Sequence, residues 1–65
     1  MTSRELLLEL AKHHDVRAMT ADDCVSRLGA IGATRAVPGL RAESSRHRAI
    51  ADAIRDVLGV SHDEG

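Results

Sequence analysis

The chain has 65 residues, a formal net charge of −1 and one cysteine, and it contains no Phe, Tyr or Trp. The single cysteine excludes an intramolecular disulfide and with it a disulfide-stapled secreted scaffold, and the charge balance argues against nucleic-acid binding by bulk positive charge. Because a core in a chain this short rarely contributes more than about 3–5 kcal/mol, we expect a second subunit to provide part of the burial.

The sequence also bears on location and domain organisation. It has no apolar run of the roughly 18 residues that a membrane span needs, and its first residues lack the order of a signal peptide. We therefore expect a cytoplasmic protein without a membrane partner. We expect one domain over 1–65, with 61–65 as a frayed tail.

The first predicted helix spans about 3–13. Thr2 and Glu5 have the spacing of a capping box. Apolar side chains then cover about 200° of the helix circumference, which is wider than one packing face. We interpret this face as an association surface, formed by Leu6, Leu7, Leu8, Leu10 and Ala11. The alternative is that other helices of the same domain enclose it.

A second helix is predicted over about 21–29, after a connection that follows His13. Thr20 and Asp23 repeat the capping-box spacing, and Met19 and Cys24 repeat that of a hydrophobic staple. The second helix is therefore expected to be short and amphipathic.

Glycines and a proline then interrupt the pattern, which predicts a long connection over 29–43. A third helix is predicted over about 45–58, with Ser44 or Ser45 as its N-cap and Gly59 in the left-handed conformation at its end. The expected fold is all-α, a small three-helix domain.

Basic residues concentrate around the long connection and the start of the third helix. They form a candidate recognition or anion-binding surface, consisting of Arg35, Arg41, Arg46, His47 and Arg48. Arginines beside a helix N-terminus favour phosphate or carboxylate groups. The alternative is a solvated face that Glu43 and Asp52 partly neutralise. A nucleotide, a nucleic-acid backbone and an acidic protein patch all remain open as targets.

The sequence predicts no metal site, cofactor or catalytic residue. His13 and His14 are adjacent, so their side chains point about 100° apart on a helix and do not easily bind one ion. His47 falls on the apolar side of the third helix, where we expect a packed histidine. Cys24 lies on the apolar side of the second helix, where a thiol is usually unreactive. No nucleophile-elbow or phosphate-loop motif is present.

The stretch Ile50–Glu64, with Leu-Gly-Val-Ser near its end and an acidic pair after it, is similar to the closing stretch of lambda-repressor-like helix-turn-helix domains. The resemblance implies a small DNA-binding regulator. The chain departs from that pattern because it has no two helices joined by a tight turn and no Asn or Gln to read adenine.

The leading interpretation is a non-enzymatic helical protein–protein interaction module that self-associates through the first helix. Adaptors, accessory subunits and phage-type inhibitors of larger machines share this profile. The expected partners are a second copy and another protein, with nucleic acid ranked below them. The alternatives are a helix-turn-helix-like DNA-binding regulator and a binder of a phosphate-bearing ligand at the arginine-rich start of the third helix.

Overall fold

The structure is a computed structural model that describes residues 1–59. Two helices lie side by side: α1 is Ser3–Ala30 and α2 is Val37–Leu58. The turn that joins them, 31–36, is short enough that the helices run antiparallel. The molecule is elongated, with extents of 44 × 25 × 17 Å. The predicted frayed tail, 61–65, lies outside the described residues.

The expectation of an all-α fold is confirmed, but the three-helix domain is wrong, because α1 continues through both the first two predicted helices and the connection between them. No glycine or proline occurs from Met1 to Leu28, so nothing in the backbone chemistry ends the helix there. Thr20, interpreted above as a cap, donates its hydroxyl hydrogen to the carbonyl oxygen of Val16, 2.9 Å away inside the helix. The hydroxyl that the sequence pattern assigned to an N-cap thus makes a hydrogen bond inside the helix.

The long connection over 29–43 is also wrong, because α2 begins at Val37 rather than near residue 45. Pro38 lies in the first turn of α2, where its missing N–H costs no helical hydrogen bond. Ser44, predicted as an N-cap, is instead buried between the helices, and its hydroxyl hydrogen-bonds to the carboxylate of Asp22.

The outer ends of both helices agree with the sequence prediction. The Thr2 hydroxyl accepts a hydrogen bond from the Glu5 N–H at 3.1 Å, and the Glu5 carboxylate accepts one from the Thr2 N–H at 3.0 Å. This is the capping box. At the end of α2, Gly59 has a φ of 74°, in the left-handed region.

The turn between the helices begins with a Schellman motif. Gly32 has a φ of 76°. Its N–H donates to the carbonyl of Gly29 at 3.2 Å, and the N–H of Ala33 donates to the carbonyl of Leu28 at 2.9 Å. These bonds satisfy carbonyls that the end of α1 would otherwise leave unpaired.

The contact between the helices, called the seam below, follows a heptad spacing of alternating three and four residues on each helix. On α1 its members are Leu7, Ala11, His14, Ala18, Ala21, Val25 and Leu28. On α2 they are Val37, Leu40, Ser44, His47, Ala51, Ile54 and Leu58. Every one of these residues is buried or half-buried. This is the pattern of a two-stranded antiparallel coiled coil.

Small side chains occupy the best-buried positions of the seam. The buried residues of the described part are Ala11, Ala18, Ala21, Ala51 and Ser44. Small residues at a helix contact let the two backbones approach closely, since the interaxial distance depends on the side chains between them. Among the described residues no larger side chain is fully buried. The larger apolar side chains of the seam lie nearer its two ends, outside 11–21 on α1 and outside 44–51 on α2, and they are half-buried.

Candidate association surface

The structure separates the five residues that the sequence assigned to an association surface. Ala11 is fully buried in the seam, and Leu7 and Leu8 are half-buried. Leu6 and Leu10 are exposed, to 57% and 44%. On a helix, Leu6 and Leu10 share one side while Leu8 falls on the other side of the seam. Two leucines of the five thus remain available on one side of α1.

An apolar surface on the same side of the hairpin combines both helices. We call it the apolar flank; its residues are Leu6 and Leu10 on α1 and Ile50, Ala53 and Val57 on α2. Among its leucine, isoleucine and valine side chains, Val57 is the most exposed, at 82%. An open groove of about 290 Å³ runs along the flank, lined by Leu7, Ile50, Ala53, Ile54 and Val57. None of these described lining residues carries a charge, so the groove favours apolar side chains.

The opposite side of the hairpin is a paired-charge flank, formed by Asp15, Asp22, Arg48 and Arg55. Arg55 on α2 donates to both carboxylate oxygens of Asp15 on α1, and Arg48 donates to Asp22. The hydrogen bond that Arg55 donates to Asp15 raises the pKa of Arg55. Hydrogen bonds from Ser44 first, and from Arg48 second, lower the pKa of Asp22. Both pairs cross the seam and therefore help to set the register of α2 against α1.

A histidine pair lies within the seam. The Nδ1 atoms of His14 and His47 are 2.8 Å apart, and the rings stack with centroids 5.0 Å apart. The Nε2 of His47 lies 3.5 Å from a carboxylate oxygen of Glu43. A proton on that Nε2 makes the His47 Nδ1 an acceptor when the ring is neutral, so His14 donates. The pKa of His14 is lowered, first by burial and then by the charge that His47 can carry.

The structure does not gather the predicted recognition surface into one site. Arg35 lies in the turn, and Arg41 and Arg46 are exposed on α2. Five residues apart on a helix, Arg41 and Arg46 point to different sides. Arg48 is paired with Asp22, and His47 contacts His14 and Glu43. The cationic groups are therefore distributed over the turn, the seam, the paired-charge flank and the exposed surface of α2.

A second groove lies nearer the turn. It is lined by Arg17, Thr20, Ala21, Cys24, Leu40, Glu43 and His47. A nucleophilic Cys24 would need a base within hydrogen-bond reach, but both ring nitrogens of His47 already face other groups, namely His14 and Glu43. The histidine is thus committed to the seam and not to the thiol.

Among residues 1–59 there is no group of three or more His, Cys, Asp or Glu side chains that could hold a metal ion. Within the same range, neither helix combines the length and the apolarity that crossing a membrane requires.

Sequence reasoning missed the contribution of α2 to the apolar flank. The amphipathic pattern of 45–58 predicts core-facing positions for Ile50 and Val57, yet both are exposed. The signal that could have separated seam from flank is the heptad spacing of small residues such as Ala18 and Ala51. Comparison with protein-family models, with curated proteins and with solved structures finds no match to this chain.

Proposed function

We propose that this chain is a non-enzymatic protein–protein interaction module that works as a homodimer. The observation that carries the proposal is the composition of the buried set, which in the described part consists of four alanines and Ser44. Complete burial of a Leu, Ile or Val side chain contributes about 1.5–3 kcal/mol. In a single hairpin the Leu, Ile and Val side chains remain partly exposed, so most of this free energy is not gained. Contact with a second copy would bury these side chains further.

The exposed area supports the same proposal. The chain exposes 4785 Å², whereas the scaling for compact monomers gives about 4000 Å² for a protein of 7.0 kDa. A standard protein–protein interface buries about 800 Å² on each partner. Burial of one side of the hairpin in such an interface would therefore reduce the exposed area per chain to about the value expected for a compact monomer.

The charges favour a second copy over a strongly charged partner. The formal net charge is −1, and the four residues of the paired-charge flank already form ion pairs within the hairpin. The groove of the apolar flank is lined by uncharged residues. A copy of the same chain offers a matching apolar surface and no large field of one sign.

The test is the molar mass in solution, measured by light scattering after size-exclusion chromatography at two protein concentrations and two salt concentrations. We expect about 14 kDa, twice the 7.0 kDa of one chain, and no loss of the dimer at high salt because the contact is apolar. The unfolding midpoint should also rise with protein concentration. A monomer mass at both concentrations, with a midpoint that does not depend on concentration, overturns the proposal.

A further inference from the structure

We infer that the second copy binds to the apolar flank, so that two hairpins form a four-helix bundle whose two-fold axis runs parallel to the helices. The inference rests on the proposed dimer and adds its surface and its geometry. Its first support is shape: the groove between Leu7 and Val57 lies beside an exposed ridge of Leu6 and Leu10 on α1. A ridge next to a groove on the same face allows two copies to interlock.

The second support is the direction of the helices. When two copies meet flank to flank about an axis parallel to the helices, α1 of each copy packs against α2 of the other. Since α1 and α2 run antiparallel within a copy, every neighbouring pair in the bundle is then antiparallel. This is the arrangement of up-down bundles, and it places opposite ends of the helix dipoles side by side.

The third support is the match of surfaces along the flank. A two-fold axis parallel to the helices places the apolar groove of one copy against the apolar groove of the other. It likewise places the second grooves of the two copies against each other. Arg17 and Glu43 both line that second groove, so each copy offers a cation and a carboxylate to its mate. An axis perpendicular to the helices would instead place the apolar groove on the polar groove, which desolvates polar groups without partners.

The first experiment compares two valine variants that differ in position. Val57→Glu introduces a charge on the apolar flank, at a residue that is 82% exposed. Val16→Glu introduces a charge on the side of α1 that faces away from α2, at a residue that is 59% exposed. We expect Val57→Glu to weaken dimerisation more than tenfold and Val16→Glu to leave it unchanged. Far-UV circular dichroism confirms that both variants remain helical.

The second experiment tests the orientation without relying on a disruptive variant. In a Cys24→Ser background, protein carrying Leu10→Cys is mixed with protein carrying Val57→Cys and oxidised. We expect a disulfide-linked heterodimer, and we expect much less cross-linking when Val16→Cys replaces Val57→Cys. The perpendicular axis separates Leu10 from Val57 of the other copy and predicts no preference.

The outcomes distinguish the inference from the proposed function. If the wild-type chain is a dimer and Val57→Glu leaves it intact, the assignment of the interface to the apolar flank is overturned, but the proposed dimer is not. The same holds if Val16→Glu dissociates the dimer instead. A dimer that Val57→Glu dissociates, but whose Leu10 and Val57 positions do not cross-link, overturns the parallel axis. A wild-type monomer overturns the dimer itself, and the surface with it.

Discussion

His14 and His47 face each other across the seam with their Nδ1 atoms 2.8 Å apart, a separation at which the two nitrogens accommodate one proton between them. A second proton would direct two N–H groups at each other and place two cations in a half-buried contact. The groups around the pair are Asp15, Arg17 and His13 on α1 and Glu43 on α2. The hairpin is therefore built for a pair that carries at most one positive charge.

The first prediction concerns pH. The pKa of His14 is lowered from its ordinary value near 6.5, so the folded chain binds this proton more weakly than the unfolded chain does. The free energy of unfolding should then be fully retained above about pH 6.5 and decrease as the pH falls below it. Urea unfolding at a fixed protein concentration, followed by circular dichroism at about pH 7.5 and pH 5.5, measures the difference.

The neighbouring histidine provides the control for this prediction. His14→Leu should flatten the pH dependence, whereas His13→Gln, at an exposed position on the same helix, should retain it. The carboxylates with lowered pKa, Glu5 and Asp22, titrate in a more acidic range and do not contribute between these two pH values. An unchanged slope in His14→Leu would assign the effect to other groups.

The second prediction concerns the small residues of the seam. Ala51 is fully buried at the contact between the helices, so Ala51→Leu should cost about 1–3 kcal/mol through overpacking. Ala49→Leu, two residues away on the exposed side of α2, should change stability by less than about 0.5 kcal/mol. Urea unfolding of both variants tests this. A gain of stability in Ala51→Leu would mean that the seam has room for larger side chains.

The third prediction uses two glycines in different conformations. Gly32 has a φ of 76°, and alanine in the left-handed region costs about 1–2 kcal/mol. Gly39 lies within α2, where an added Cβ meets no atom within 4 Å, and alanine there should stabilise the helix by up to about 1 kcal/mol. Gly32→Ala and Gly39→Ala should therefore shift the thermal midpoint in opposite directions. Shifts of the same sign would be inconsistent with the Schellman turn.

The helix ends were predictable where the signal is local. Thr2 and Glu5 satisfy each other within one turn, and Gly59 adopts the left-handed conformation that a helix end requires. The interior boundaries were not predictable, because Thr20 and Ser44 carry the same hydroxyl groups that cap the N-termini of helices. Their hydroxyls found partners in Val16 and Asp22 instead. A long helix and a tertiary contact overrode the local preference.

The exposed apolar flank was predictable on one helix only. Leu6 and Leu10 were identified because consecutive leucines exceed one packing face, but Ile50 and Val57 also fit the core side of an amphipathic helix. The best-buried positions are held by alanines, whose small side chains contribute little to a hydrophobic pattern. Which apolar side of α2 faces α1 is decided by the packing of these small side chains between the helices, and that packing depends on the tertiary fold.

The paired-charge flank has acids on one helix and bases on the other. Asp15 and Asp22 belong to α1, and Arg48 and Arg55 belong to α2. If the seam faces of two α1 helices met during folding or at high concentration, carboxylates would lie beside carboxylates; two α2 helices would bring guanidinium groups together. The same four side chains that help to set the register of the hairpin thus disfavour pairing of α1 with α1 and of α2 with α2. They favour pairing of α1 with α2.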